Sequence, residues 1–196
     1  MKKKKWMGLA IVLICALVAG AIIPSTMNAA QKKSTQKKNT KKVLVVYFSA
    51  TGTTKEAAKK VKKATGGTLY EIKAKTPYTE ADLDYSQEDC RANKEQQDDS
   101  VRPAIKGKVK NIQKYDVIFV GYPIWWGKEP KIIRTFLESY NLEGKKIVPF
   151  CTSGSSGISG SMDDVKAAAE GAMVVSGKDL TGLSYKDVKK WAKKKL

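Results

Sequence analysis

A chain of 196 residues is long enough for one domain of ordinary size with a real core. It holds 37 Lys and Arg against 19 Asp and Glu, three Cys and no His, which excludes Ser-His-Asp and Cys-His nucleophile pairs, an imidazole general base and any His-ligated metal site. The formal charge of +18 sits at the ends: ten Lys and no acid in residues 1–42, six Lys against Asp187 in residues 184–196, and 21 basic against 18 acidic residues between them.

A nearly neutral body with basic tails lacks the basic folded face that nucleic acid requires, so no nucleic-acid partner is expected. Along the chain, Lys2 to Lys5 precede an apolar run of 18 residues, Trp6 to Ile23, followed by Pro24 and small residues through Ala29 and Ala30. This is the three-part layout of an export signal, and the run is also just long enough to span a bilayer if left uncut. Residues 1–30 are therefore read as an export signal or a membrane anchor, with cleavage after Ala29 or Ala30 favoured. Cys15 follows Ile14, where lipidation would need a small residue. Residues 31–42 carry no apolar side chain and repel themselves, as a disordered tether would; they serve as a solvated spacer or as a contact with an anionic membrane or cell-wall surface. The protein is expected to be exported, and either secreted or attached to the outer face of the cytoplasmic membrane. Cys90 and Cys151 are expected as free thiols, because two cysteines make no stapled framework.

From residue 43 to 196 the pattern alternates. Lys42 to Phe48 is a continuous apolar run rich in β-branched and aromatic residues, the mark of a central strand covered on both faces. Ala57, Ala58, Val61 and Ala64 follow at helical spacing among lysines, and Gly66-Gly67 ends them. Thr68 to Ile72 is a short second strand, and residues 74–113 are polar, with a partial helix near Gln87 to Gln97; their length suits a cover for a sheet edge, or a lid. Asp116 to Tyr122 is a third strand, and Ile132, Ile133, Phe136, Leu137 and Tyr140 form the buried stripe of a helix. Lys146 to Cys151 is a fourth strand, followed by a helix with Met162, Val165, Ala168 and Ala169 inward. Ala172 to Ser176 is a fifth strand, and Val188, Trp191 and Ala192 face inward from a terminal helix. Five strands alternating with helices predict an open, doubly wound parallel α/β sheet.

In such sheets ligands bind beyond the carboxyl ends of the strands, where three unusual loops should meet. Ser49-Ala50-Thr51-Gly52-Thr53-Thr54 runs from a buried strand into a helix N-terminus. An N-cap needs one hydroxyl, whereas four hydroxyls, free N–H groups and the positive helix end make a phosphate cradle without Lys or Arg. Neither a Walker sequence nor Gly-x-Gly follows the first strand, and Gly154, Gly157 and Gly160 have the wrong spacing and place for a dinucleotide fingerprint. The second loop, Pro123-Ile124-Trp125-Trp126-Gly127, offers a flat apolar wall for a planar ring. The third, Thr152-Ser153-Gly154-Ser155-Ser156-Gly157, is small and polar, able to bring backbone amides to the edge of that ring.

Tyr47 to Thr54, Gly121 to Gly127 and Cys151 to Gly154 together resemble the flavodoxin-like FMN-binding family, in its bacterial branch with a Trp-Trp-Gly second loop. The resemblance covers about residues 42 to 195. It implies a five-stranded sheet ordered 2-1-3-4-5, non-covalent FMN and electron transfer to a redox partner protein or a small electron acceptor. By resemblance, Ser49, Ala50, Thr51, Gly52, Thr53 and Thr54 would hold the FMN phosphate. Pro123, Ile124, Trp125, Trp126 and Gly127, with Thr152, Ser153, Gly154, Ser155 and Gly157, would flank the isoalloxazine. No protein side chain is needed as acid or base, since the flavin carries the redox chemistry. Two other uses of such a site are an NAD(P)H:quinone-type oxidoreductase and a non-redox binder of a phosphate ligand.

Overall fold

The computed structural model describes residues 41–196. The expected export segment and residues 31–40 of the tether lie outside the described residues. The described elements in chain order are β1 (Val43–Tyr47), α1 (Thr53–Thr65), β2 (Thr68–Glu71), α2 (Arg91–Gln97), β3 (Val117–Pro123), α3 (Lys131–Glu138), β4 (Lys146–Thr152), α4 (Met162–Ala168), β5 (Met173–Val174), β6 (Lys178–Asp179) and α5 (Tyr185–Lys194). The strands pair in parallel in the order β2-β1-β3-β4-β5, with β6 also on β4. The doubly wound sheet and the order 2-1-3-4-5 are thus as expected.

All five residues of β1 are buried, because Val45 lies between Leu69 of β2 and Phe119 of β3 while helices cover both faces. On one face Val45, Val117, Phe119 and Val148 pack against Ala57, Ala58 and Val61 of α1 and Val188 and Ala192 of α5. On the other, Leu44, Val46, Ile118 and Val120 pack against Ile132, Ile133 and Phe136 of α3, Val165 of α4 and Ala92 of α2. The lysines of α1 and α5 stay in water or lie partly covered. Gly66, at φ 74°, ends α1 by donating its N–H to Lys62 O, the left-handed stop that a Cβ would penalise.

The fifth strand departs from expectation. Ala172 to Ser176 forms only the short β5, and pairing resumes at β6 after one extra residue: Val174 lies opposite Ile147, but Lys178 lies opposite Phe150. Ile147 O accepts from the Val175 N–H, so the next group of β4 facing this edge would be the N–H of residue 149. That residue is Pro149, which has none, and the ladder breaks there. Gly177 fills the break, where a Cβ would lie 2.5 Å from Ile158 Cδ1 and 2.9 Å from Pro149 O. The helix expected near Gln87 to Gln97 is confined to α2, because Cys90 is extended (φ −60°, ψ 153°). An antiparallel bridge between Ala74 and Ile105 closes the base of this long segment. Cys90 and Cys151 are free and buried.

Candidate functional site

The first loop is built around Ser49. Its Oγ accepts the N–H groups of Gly52 (3.1 Å) and Lys55 (3.2 Å), which curls the chain and satisfies one first-turn donor of α1. Gly52 turns the corner at φ 95°, a conformation that favours glycine. Thr54 is buried and its hydroxyl lies 2.7 Å from that of Thr152, joining the first loop to the third. The exposed hydroxyls of Thr51 and Thr53 lie 3.5 Å apart. The N–H groups of Thr53 and Thr54, in the first turn, have no intrahelical acceptor by position. Ser49 keeps a hydroxyl hydrogen to donate, as does one member of the Thr54–Thr152 pair.

The second loop separates its two tryptophans. After Pro123, Ile124 donates its N–H to Thr152 O (2.9 Å), holding the loop to β4. Trp125 and Lys128 exchange both backbone hydrogen bonds, at 2.9 and 3.0 Å, around a two-residue turn in which Trp126 (φ 52°) and Gly127 (φ 75°) are both left-handed. Such a turn favours glycine or asparagine, so Trp126 carries about 1 kcal/mol or more of backbone strain. Trp125 is 5% exposed and meets Phe48 (5.7 Å) and Tyr78 (5.3 Å) edge to face. Trp126 is 65% exposed, and its indole N–H donates to Asn93 Oδ1 at 2.8 Å.

In the third loop, Ser153 Oγ accepts the N–H groups of Ser155 and Gly157, both at 3.2 Å, and the Ser153 N–H donates to Thr181 Oγ1 at 2.8 Å. Asp179 holds Thr181 in turn, accepting its N–H and hydroxyl at 2.8 and 2.6 Å. The second and third loops touch at two glycines: a Cβ on Gly160 would lie 2.4 Å from the carbonyl oxygen of Gly127.

The three loops enclose a cleft of about 410 Å³, within the usual range for small-molecule sites. Ser49, Ala50, Thr51, Thr53, Thr54, Pro123, Ile124, Trp125, Thr152, Ser153 and Gly154 line it. Gly52, Trp126, Gly127, Ser155 and Gly157 belong to the same loops but lie off its lining. Leu83, Tyr85 and Thr181 complete the wall and were missed. Leu83 and Tyr85 are the large apolar side chains in an acidic stretch, Glu80 to Asp89, which is the cue that could have found them.

No ionisable group with a usual pKa below 9 lines the cleft. Burial pushes the Cys151 thiol, at the end of β4, up to about 12, with Asp179 adding to it, so it is no thiolate nucleophile at neutral pH. Burial likewise pushes the Tyr85 phenol up to about 12. The site offers a neutral anion cradle at one end and an aromatic wall at the other. These residues fit a phosphorylated planar ring, and redox or group-transfer chemistry would have to come from that ligand.

The flavodoxin family profile matches residues 42–195. No curated protein matches the chain. Among solved structures, a candidate flavoprotein from Bacteroides eggerthii DSM 20697 is 46% identical over 78% of this chain and 96% of its own, with a TM-score of 0.75. Another from Bacteroides uniformis ATCC 8492 is 45% identical over 78% and 98%, also with a TM-score of 0.75. A flavoprotein from Lactobacillus acidophilus NCFM, solved in complex with FMN, is 27% identical over 78% of this chain and 99% of its own, with a TM-score of 0.61. With its sheet order, its three loops and a profile match across nearly all the described residues, the chain belongs to the flavodoxin family.

Proposed function

We propose that the protein is an exported FMN-binding electron-transfer protein that delivers electrons to a redox partner protein or a small acceptor outside the cytoplasm. The observation that carries the FMN reading is the cleft itself, with hydroxyls and helix N–H groups at one end and Trp125 at the other. Thr51, Thr53 and the first-turn N–H groups of α1 bind the phosphate; Trp125 and the backbone of Thr152 to Gly154 orient the ring. The bound flavin supplies the electron chemistry. The protein's part is to hold it with no ionised side chain of the cleft lining against it. The FMN complex of the Lactobacillus relative, which this chain matches across 99% of its length, supports the same ligand.

Export rests on the basic, apolar and small-residue order of residues 1–30, and envelope contact on the lysines of residues 31–42. The deciding experiment is titration of flavin-free protein with FMN, followed by quenching of flavin fluorescence. Saturable 1:1 binding is expected, and weaker binding of riboflavin. Absence of binding would leave the non-redox phosphate ligand as the reading of the cradle. Cell fractionation tests location: the protein should be found outside the cytoplasm, and release by high salt would indicate lysine-mediated contact, whereas retention through both high salt and an alkaline wash would indicate an uncut anchor.

A further inference from the structure

A second cavity of about 410 Å³ adjoins the cleft, and Ser49 and Ala50 line both. Phe48, Ile72, Ala74 and the half-buried Tyr78 form its apolar floor, and the exposed Lys73, Lys75 and Lys106 its rim, with Glu71 as the one acidic residue of the lining. The bridge between Ala74 and Ile105 is what brings the lysines together. Lys106 donates its N–H to Lys73 O and Lys75 donates its N–H to Ala104 O, both at 2.7 Å, so the two segments run as a short antiparallel pair. Ala74 is buried and Ile105 packs on the core, and the alternation of an extended chain turns the lysines beside them outward.

The charge gathered there is not balanced. Lys73 lies opposite Lys106 across the pair, an unfavourable placement for like charges. Among the described residues neither Lys75 nor Lys106 forms an ion pair, and Lys73 reaches Glu71 only at 3.9 Å. The floor leads to the cleft through three rings in edge contact: Tyr78 lies 5.3 Å from Trp125, and Phe48 lies 5.7 Å from Trp125 and 5.6 Å from Tyr78. Trp125 lines the cleft, whereas Phe48 and Tyr78 line the second cavity. One layer of side chains therefore separates the two spaces.

We propose that this cavity is a second ligand site that takes a flat acidic molecule, whose anionic group meets Lys73, Lys75 and Lys106 while its ring covers the apolar floor. The proposal rests on the FMN reading above and gives the small electron acceptor of that reading a place and a charge. A concave site of this size with an apolar floor suits a small molecule rather than the face of a protein partner. With a quinone bound there, two electrons leave the reduced flavin, and the quinone oxygens take up two protons, from the flavin and from water. The products are the hydroquinone and oxidised FMN. The lysines also draw an anion in from solution, an effect that salt screens.

The test is calorimetric titration of protein saturated with FMN, so that the cleft is filled, with naphthalene-2-sulfonate and with its neutral analogue naphthalene-2-sulfonamide. At low salt the sulfonate should bind 1:1 and about tenfold more tightly than the sulfonamide, the scale of three exposed ion pairs. Lys73→Gln, Lys75→Gln and Lys106→Gln together should abolish that preference and leave the sulfonamide within about twofold. The same change at Lys189, Lys190 and Lys193, exposed lysines of α5, removes equal charge and should preserve it. Reoxidation of the reduced, FMN-loaded protein by anthraquinone-2-sulfonate should slow about tenfold in the first triple variant and stay within about twofold in the second. Equal binding of the two naphthalenes, or equal losses in the two triple variants, overturns the site. Displacement of FMN by the sulfonate also overturns it, by placing the anion at the cradle. Lysine-dependent binding with unchanged reoxidation overturns the acceptor role and leaves the site standing. A protein that takes up no FMN but binds the sulfonate with the same lysine dependence overturns the FMN reading and the acceptor role, while the site stands.

Discussion

Thr54 and Thr152 lie on different loops, 98 residues apart, yet their hydroxyls meet where water does not reach. Thr54→Val would strand the Thr152 hydroxyl, at a cost of about 1–3 kcal/mol in urea denaturation. Thr51 and Thr53 face outward, so replacing both with Val should leave stability within about 0.5 kcal/mol. That double variant should weaken FMN by roughly tenfold or more while riboflavin changes little, because only FMN presents the charged acceptor. Equal losses for the two ligands would place the phosphate elsewhere. Four hydroxyls before a helix were legible in the sequence; which of them are free was not, because the partner that occupies Thr54 is remote in the chain. The same holds for Gly160. Its spacing from Gly154 and Gly157 argued only against a dinucleotide fingerprint, whereas its structural role is close approach to the carbonyl oxygen of Gly127, a neighbour from another loop. Since both sides of that contact are backbone, Gly160→Ala should displace the tryptophan turn and weaken FMN and riboflavin together, measured by the same titration.

The elements most legible in the sequence were those whose burial is periodic or continuous: the run from Val43, the alanine stripe of α1, and the Ile132, Ile133, Phe136 and Leu137 stripe of α3. Their strand ends fall within about one residue of expectation. The fifth strand was read too long because its boundary is set by Pro149 on the neighbouring strand, which no local pattern in residues 172–179 reveals. Residues 74–113 were legible only as a cover, because their buried apolar side chains, among them Ala74, Cys90, Ala92, Val109 and Ile112, follow no helix or strand period, and polar turns and ion pairs add to their attachment. Asp99 binds Lys131, and Arg134 bridges Asp99, Glu129 and Asp164, pinning the turn after α2 to α3 and α4. Gln96 Nε2 donates to Trp125 O and Glu129 O, both at 3.1 Å. Lys131 holds the Asp99 carboxyl below its usual range, and Thr79, Ser86 and Ser100 do the same for Asp82, Asp84 and Asp98. A depressed folded-state pKa contributes stability above the unfolded value of about 3.9 and loses it as pH falls through the folded value. Acid should therefore loosen this segment before the sheet, whose core holds few carboxylates. In a Trp6→Phe, Trp191→Phe variant titrated from pH 5 to 2, emission from Trp125 and Trp126 should shift before far-UV circular dichroism falls. Coincident transitions would mean that the segment and the sheet melt as one unit.

At the scale of the whole molecule, the basic residues 1–42 and the nearly neutral stretch that follows are separable in charge, and hydrogen bonds tie the first described residues to the sheet. The Lys42 N–H donates to Asp116 Oδ2 (2.7 Å), and Lys42 O accepts the N–H groups of Asp116 (2.9 Å) and Val117 (3.2 Å). Lys41 reaches the backbone oxygen of Leu196. These bonds extend the pairing of β1 with β3 one residue upstream of Val43, at the end of the strands away from the cleft. Ser49 lies seven positions after Lys42, and at about 3.3 Å per extended residue that is roughly 20 Å or more. Removing residues 1–40 leaves all of these bonds, so the fragment should match the full chain in denaturation midpoint and in FMN affinity. Removing residues 1–42 deletes the three backbone bonds of Lys42, each worth about 0.5–1 kcal/mol in an exposed position, and should lower stability by about 1–3 kcal/mol in total. Its FMN affinity should stay within about twofold, because the cradle and the aromatic wall lie at the other end of β1. Urea denaturation and FMN titration on the two fragments and the full chain check both halves of this expectation. A fragment of residues 41–196 that folds but loses FMN would show that part of the binding site lies in residues 1–40, while equal stability of the two fragments would mean that the Lys42 bonds are exchanged for water without net cost.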